Sequence, residues 1–311
     1  STLPKPKFTK MTLIGVADDA ALTAGLQTGA ISGAYLANPL ATLGQLRTNP
    51  DVQVFQGPPF ATDAMVVSAT KGPLADPRVR QAISYTLDRA GIVNTLWHGA
   101  ALVPHALEAQ GTWGSAPEVF KAGYDALPVL APDTAKAQEL IKAAGVAGQT
   151  ITIGTSSGAA AINAEALAYK AAAEQLGLKV AFKDVSPANF INFFIDPAAW
   201  GSVDAFPTTN YGDYADPSAL YKTMALKDGS QDFSGWTDPA VTASLEAARS
   251  ETDPAKRAQH VVDAQKIITE QMVWIPTASP NSVLVLHQGL TGPPATFSYM
   301  FGPWAVYLGG S

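Results

Sequence analysis

Two carboxylates and two tyrosines crowd into Asn210-Tyr211-Gly212-Asp213-Tyr214-Ala215-Asp216-Pro217, directly after the apolar run 203–206. That order reads as the end of a strand, a turn and the start of a helix. Such a junction can aim polar side chains at a ligand, because loops at strand ends carry binding groups on a rigid scaffold. A plainer reading competes with it: Asp216-Pro217 is also the signature of a helix N-cap followed by proline at the first helical position. Asp216 is given the plainer role. Asp213 stays open between a ligand contact and a turn aspartate, with Asn210 and Tyr211 as its companions.

Other chemistries find less support. The four histidines, His98, His105, His260 and His287, are scattered with no H-E-x-x-H or similar metal spacing, and there is no G-x-S-x-G elbow. Cysteine is absent, which removes disulfides, thiolate metal sites and cysteine nucleophiles together. Neither catalytic nor metal residues are assigned, and no cofactor is expected. Thr155-Ser156-Ser157-Gly158, at a strand end before a helix, offers a weak anion signal through backbone N–H groups. Arg78 and Arg80 are read as members of structural ion pairs on a helix. A net charge of -6 without a basic block gives no electrostatic footprint for nucleic acid or an anionic membrane. No apolar run approaches the ~18 residues of a membrane-spanning helix, and Ser1 to Lys7 has no apolar signal core.

The elements that must position these residues are α/β in character, and 311 residues exceed what one core usually organises. Met11–Val16 reads as a buried strand, followed by a helix bearing Leu22 and Leu26 that ends at Gly29, then a strand 31–36. A short helix 40–46 precedes strands 52–55 and 64–69. Asp76 caps a helix with Pro77 at its first position and Val79, Ile83 and Leu87 on one stripe; Asp88 caps the next. Residues 98–132 lack periodicity and read as one long irregular segment, a kind that is often functional. Asp133 caps a helix closed by Gly145. A strand 150–153, a helix 160–176 and a strand 178–185 make a βαβ unit, expected in a mostly parallel sheet. Ser186-Pro187 opens a helix whose Phe190, Phe193 and Phe194 belong to the core. Asp238 and Asp253, each followed by proline, precede two amphipathic helices, and strands at 274–276 and 283–286 lead to an irregular end containing Phe297, Tyr299, Phe301, Trp304 and Tyr307.

Several stretches together resemble the solute-binding proteins that serve ABC importers for oligopeptides, dipeptides and nickel, known as family 5. The main match is Pro73 to Arg89, which follows P-x-x-D-x-R-V-R-Q-A-I-x-x-x-x-D-R; Asp133 to Gly145 and Glu246 to Arg257 support it. The resemblance implies a two-lobed clamshell of the periplasmic-binding-protein type II, its first lobe only partly present. Residues 1–65 and 276–311 would be the remnant of lobe I, and 66–275 lobe II. It implies a non-enzymatic protein that captures a small extracytoplasmic solute, peptide-like by preference, and delivers it to membrane permease subunits. The alternatives are a sugar or nickel complex as ligand, or a scaffold module that no longer transports. The setting would be the periplasm or cell surface, with any lipid anchor outside this chain. The match covers the later part of a family member, so the earlier part is expected either to have been cut away or to come from a separate chain. In peptide-binding members the position matching Asp213 holds the ligand's α-ammonium group; Asn210 stands where they carry tryptophan, which removes an aromatic wall.

Overall fold

The computed structural model describes residues 4–16, 18–36, 43–156, 160–292 and 304–310, which fall into two compact units. The first comprises Ser1–Phe60, Val93–Leu102 and Pro280–Ser311; the second comprises Ala61–Ile92 and Val103–Ser279.

The second unit is built on a mixed sheet. Its order runs from the start of strand Ile275–His287 through Thr62–Val67, Ala205–Asn210 and Thr150–Ser156 to Lys179–Val185. The βαβ unit is present. Strands Thr150–Ser156 and Lys179–Val185 run parallel in unbroken register, joined by helix Ala160–Gln175. Thr62–Val67 is antiparallel to Ala205–Asn210, which sets Thr62 opposite Asn210 and Val67 opposite Ala205.

Side chains alternate across these strands, so each face has its own cover. On one face lies Tyr169 of helix Ala160–Gln175. Its hydroxyl accepts from Met65 N at 2.9 Å, donates to the Ile275 carbonyl at 2.5 Å and bonds the Thr277 hydroxyl. On the other face Phe206 stacks on Phe193 at 5.4 Å and meets Phe194 and Phe233 edge-on at 5.1 and 5.6 Å. Gly154 belongs to that face because a Cβ there would come within 2.8 Å of the Phe193 ring. Of the three expected core phenylalanines only Phe193 is buried, Phe190 and Phe194 being half-buried, and they do not share one helix: the chain makes three short turns, Pro187–Phe190, Asn192–Ile195 and Pro197–Trp200. Pro197, which has no N–H to continue a helix, and the Asp196 cap that precedes it explain the last break.

Aspartate caps perform as their spacing indicates. Asp76, Asp133, Asp238 and Asp253 each accept from backbone N–H groups at the head of the next helix, and Asp88 accepts from Gly91 N. Arg80 departs from the sequence reading. It is 4% exposed and forms no ion pair among the described residues; its guanidinium instead donates to the carbonyls of Leu74, Ala75, Gln271 and Met272. Those last two carbonyls flank a turn where Met272 takes a left-handed φ of 44°, so Arg80 ties down a strained corner. Arg78 does pair, with Asp76, at the surface. The long segment 98–132 is less irregular than its composition indicates, since it contains helix Pro117–Asp125, with Phe120 and Tyr124 buried.

In the first unit the later part of Ile275–His287 lies between Gly33–Leu36 and Val52–Pro59, antiparallel to both. Helices Asp19–Thr28 and Leu43–Thr48 set Leu26, Leu43 and Leu46 against Val283 and Val285, while Leu284, Leu286 and Leu308 cluster separately. Val93–Leu102 joins this unit: Ala101–Leu102 pairs with the same strand, and Asn281 N donates to the Ala100 carbonyl at 2.9 Å. Met11–Val16 is not a strand. It has no regular secondary structure and no ladder bonds among the described residues, with Leu13 80% and Ile14 67% exposed. Residues 40–42 of the expected short helix, Ser157-Gly158, and Phe297, Tyr299 and Phe301 lie outside the described residues.

Candidate functional site

Strand Ala205–Asn210 delivers the stretch 210–217 to the carboxyl end of the parallel strands, the end where open α/β sheets present ligand groups. Tyr211 is 52% exposed, and the Asp213 carboxylate stands in solvent with no partner among the described residues. Asn210 does not join them. Opposite Thr62 in the ladder, it is 4% exposed, and its side-chain N–H₂ lacks a partner among the described residues.

The turn itself is compact. Gly212 is buried, and a Cβ there would come within 2.8 Å of Ala219 Cβ. The Tyr214 ring lies under Lys222 Nζ at 4.7 Å, and the same ammonium donates to its hydroxyl at 3.0 Å. Sequence reasoning missed that pair, although its spacing across the turn from 214 to 222 is short. Asp216 serves the head of helix Ser218–Ala225 from one residue further out than expected, Pro217 being the N-cap residue: its Oδ1 accepts from Ser218 N at 2.9 Å, and its carbonyl accepts from Ala219 N at 2.9 Å. Asp213 is thus the carboxylate of this turn without a partner among the described residues.

Behind the turn lies a buried acid. Glu108, from the long segment 103–116, is 2% exposed and accepts from the Tyr221 hydroxyl and the Gln265 amide. Burial pushes its carboxyl up to about 7, against the opposing pull of those donors. A second acidic site lies on the helix face of the sheet. Glu165 and Asp63 are both buried and face each other; burial raises both carboxyls, and their pairing raises Glu165 further while pulling Asp63 down. The Thr209 hydroxyl donates to Asp63 Oδ1 at 2.6 Å.

The anion signal at 155–158 fares poorly over its described part. The Thr155 hydroxyl is engaged by Asp184 at 3.1 Å, and Ser156 N donates to Asn163 Oδ1 at 3.4 Å. Among the described residues no group of three His, Asp or Glu side chains could hold a metal ion.

The pattern of the bacterial extracellular solute-binding proteins, family 5 Middle, matches residues 3–232. This chain belongs to family 5. The family consists of solute-binding proteins, not enzymes. Curated family 5 relatives include a probable di/tripeptide-binding protein 5 of Pseudomonas aeruginosa, 24% identical over 79% of this chain and 45% of that protein. Another is the glutathione-binding protein GsiB of Salmonella typhimurium, 24% identical over 94% of this chain and 57% of that protein. The chain spans about half the length of the curated relatives it matches. Among solved structures, the Listeria monocytogenes substrate-binding protein CtaP superposes with a TM-score of 0.80 at 20% identity, over 94% of this chain and 58% of that one. The oligopeptide-binding protein AppA of Bacillus subtilis, solved with a nonapeptide, gives 0.75 at 16% identity over 95% and 59%. The fold is therefore the mixed α/β fold of the periplasmic peptide-binding proteins, over part of their length.

Proposed function

We propose that this chain is the larger part of a substrate-binding component of an ABC importer, and that it captures a peptide-like solute outside the cytoplasm for delivery to a membrane permease. The observation that carries this reading is Asp213: an exposed carboxylate, without a partner among the described residues, on a turn whose neighbouring aspartate is consumed by a helix cap. An ammonium group needs such an acceptor, and a charge-assisted hydrogen bond is roughly twice as strong as a neutral one. Tyr211 supplies an exposed aromatic surface beside it. Asn210, buried, shapes the site from beneath and contacts ligand only if the strand end opens. Relatives named for di- and tripeptides favour a short peptide with a free amino terminus. In this reading the first unit is a portion of lobe I and the second is lobe II.

The deciding experiment is a thermal-shift screen with short peptides, amino acids, sugars and Ni²⁺, followed by calorimetry on the wild type and Asp213→Ala. The substitution is expected to abolish peptide binding while leaving the melting temperature within about 1 °C, as for an exposed side chain without partners. Unchanged peptide affinity, or a collapse of the fold, rejects Asp213 as the ammonium ligand; a shift with sugar or Ni²⁺ alone rejects the peptide.

A further inference from the structure

The turn that carries Asp213 is held by two kinds of contact. Some are local: Gly212 against Ala219, and Tyr214 under Lys222. Others come from distant parts of the second unit. Gly114 lies so close to the turn that a Cβ on it would overlap the Ala215 carbonyl oxygen, with the backbone already at a φ of 27°. No side chain fits there unless residues 213–215 move. Its neighbour Ser115 accepts at 2.7 Å from Arg257 Nη2, which also reaches Asp216 Oδ2 at 3.3 Å. Arg257 belongs to helix Pro254–Glu270, so one guanidinium ties that helix, the segment 103–116 and the far end of the turn together. The same segment is anchored six residues earlier by Glu108, whose partners Tyr221 and Gln265 lie on helices Ser218–Ala225 and Pro254–Glu270.

These contacts end on the turn and not on each other alone. Asp216 cannot shift without disturbing both the Ser218 N–H that it caps and the Tyr214 carbonyl that accepts from its own N–H at 2.8 Å. Asp213 lies one residue before Tyr214, so its carboxylate inherits whatever position the brace gives residues 214–216.

We propose that Arg257 and Gly114 are positioning residues for Asp213: the segment 103–116 and helix Pro254–Glu270 form a brace that fixes the carboxylate where a ligand's amino terminus meets it. This rests on the peptide reading of Asp213. It assigns a role to the long segment and predicts that preference for a free amino terminus is set by residues that touch no ligand.

The test uses trialanine and N-acetyl-trialanine, titrated calorimetrically into the whole chain as wild type, Arg257→Met, Arg257→Lys, Gly114→Ala, Ser115→Ala and Asp213→Ala. Arg257→Met keeps the apolar stem and removes the donors; Arg257→Lys keeps the charge and reach. The expected result is that Arg257→Met and Gly114→Ala weaken trialanine by about tenfold, a fraction of the roughly hundredfold that a 1 Å misplacement can cost. N-acetyl-trialanine should be unaffected, and Arg257→Lys should recover part of the loss. Equal weakening of both peptides together with a lowered melting temperature overturns the proposal in favour of a purely structural role. So does unchanged trialanine affinity in both variants. If Arg257→Met acts as expected but Asp213→Ala leaves trialanine untouched, the brace serves another ligand group and the proposal falls. If wild type binds neither peptide, the peptide reading falls and takes this one with it. Should Gly114→Ala fail to fold, Arg257→Met and Ser115→Ala decide the matter.

Discussion

Replacing Glu108 by glutamine removes a buried titration without removing its hydrogen bonds. The glutamine can still accept from the Tyr221 hydroxyl, and it gains an N–H₂ that can donate to Gln265 Oε1, an atom without a partner among the described residues. In the wild type the carboxyl is pushed up to about 7 in the folded protein against an ordinary value of 4.5. A group raised on folding contributes stability that is fully present below its unfolded value and lost as pH climbs through the folded one. The window therefore runs from about 4.5 to about 7. At roughly 1.4 kcal/mol per pH unit, the loss across it amounts to about 3 kcal/mol. With about 2 cal/mol/K of unfolding entropy per residue over the chain, that corresponds to roughly 5 °C in melting temperature. Melting of wild type and Glu108→Gln, followed by circular dichroism from about pH 4 to about pH 8, should show matched midpoints at the acid end. The variant should then lead progressively above about pH 5, and the gap should stop widening above about pH 7. A gap that is constant across the range, or one that opens toward acid, would refute the argument that burial dominates at Glu108.

Two further substitutions test the interior of the second unit. Glu165→Gln keeps a donor for Asp63 and removes the second ionisable group; because Glu165 is raised on folding, its contribution is lost with rising pH, so the variant should have the higher urea midpoint at about pH 8 and equality at about pH 4. A lower midpoint at both would contradict a Glu165 carboxyl raised by burial and by Asp63. Arg89 is fully buried and donates to the Ser84, Leu130 and Pro276 carbonyls and the Ser84 hydroxyl at 2.7–3.2 Å; Arg89→Lys, with donors radiating from one atom, should lose about 3 kcal/mol in a urea titration, and wild-type stability would show the fork to be dispensable.

Local grammar made much of the fold legible. An aspartate before a proline or a run of helix formers needs only its next three residues to become a cap, and Asp76, Asp238 and Asp253 behave accordingly. The parallel strands around helix Ala160–Gln175 likewise follow from a period that changes from two to 3.6 and back. Met11–Val16 shows where that grammar stops. Its composition suits a buried strand, but a strand exists only through a neighbour, and among the described residues none pairs with it. The candidate site divides along the same line. The service of Asp216 to the following helix could be read from the proline beside it, whereas the inward turn of Asn210 depends on its register with Thr62 on a strand about 150 residues earlier. Glu108, Asp63 and Glu165 look like ordinary surface acids in one dimension; only distant packing removes them from water.

Arg80 has a consequence for how kinship within this fold should be weighed. The stretch Asp76-Pro77-Arg78-Val79-Arg80 is the most telling signature in the chain, yet the guanidinium of its second arginine is turned to four main-chain carbonyls inside the second unit. What such a signature encodes here is a knot in the scaffold, and a planar fork is needed to tie it. The same architecture has been captured holding a nonapeptide, nickel with two histidines, and agropinic acid. A signature of this kind speaks for the scaffold that it ties, and the choice of solute has to be sought elsewhere in the chain.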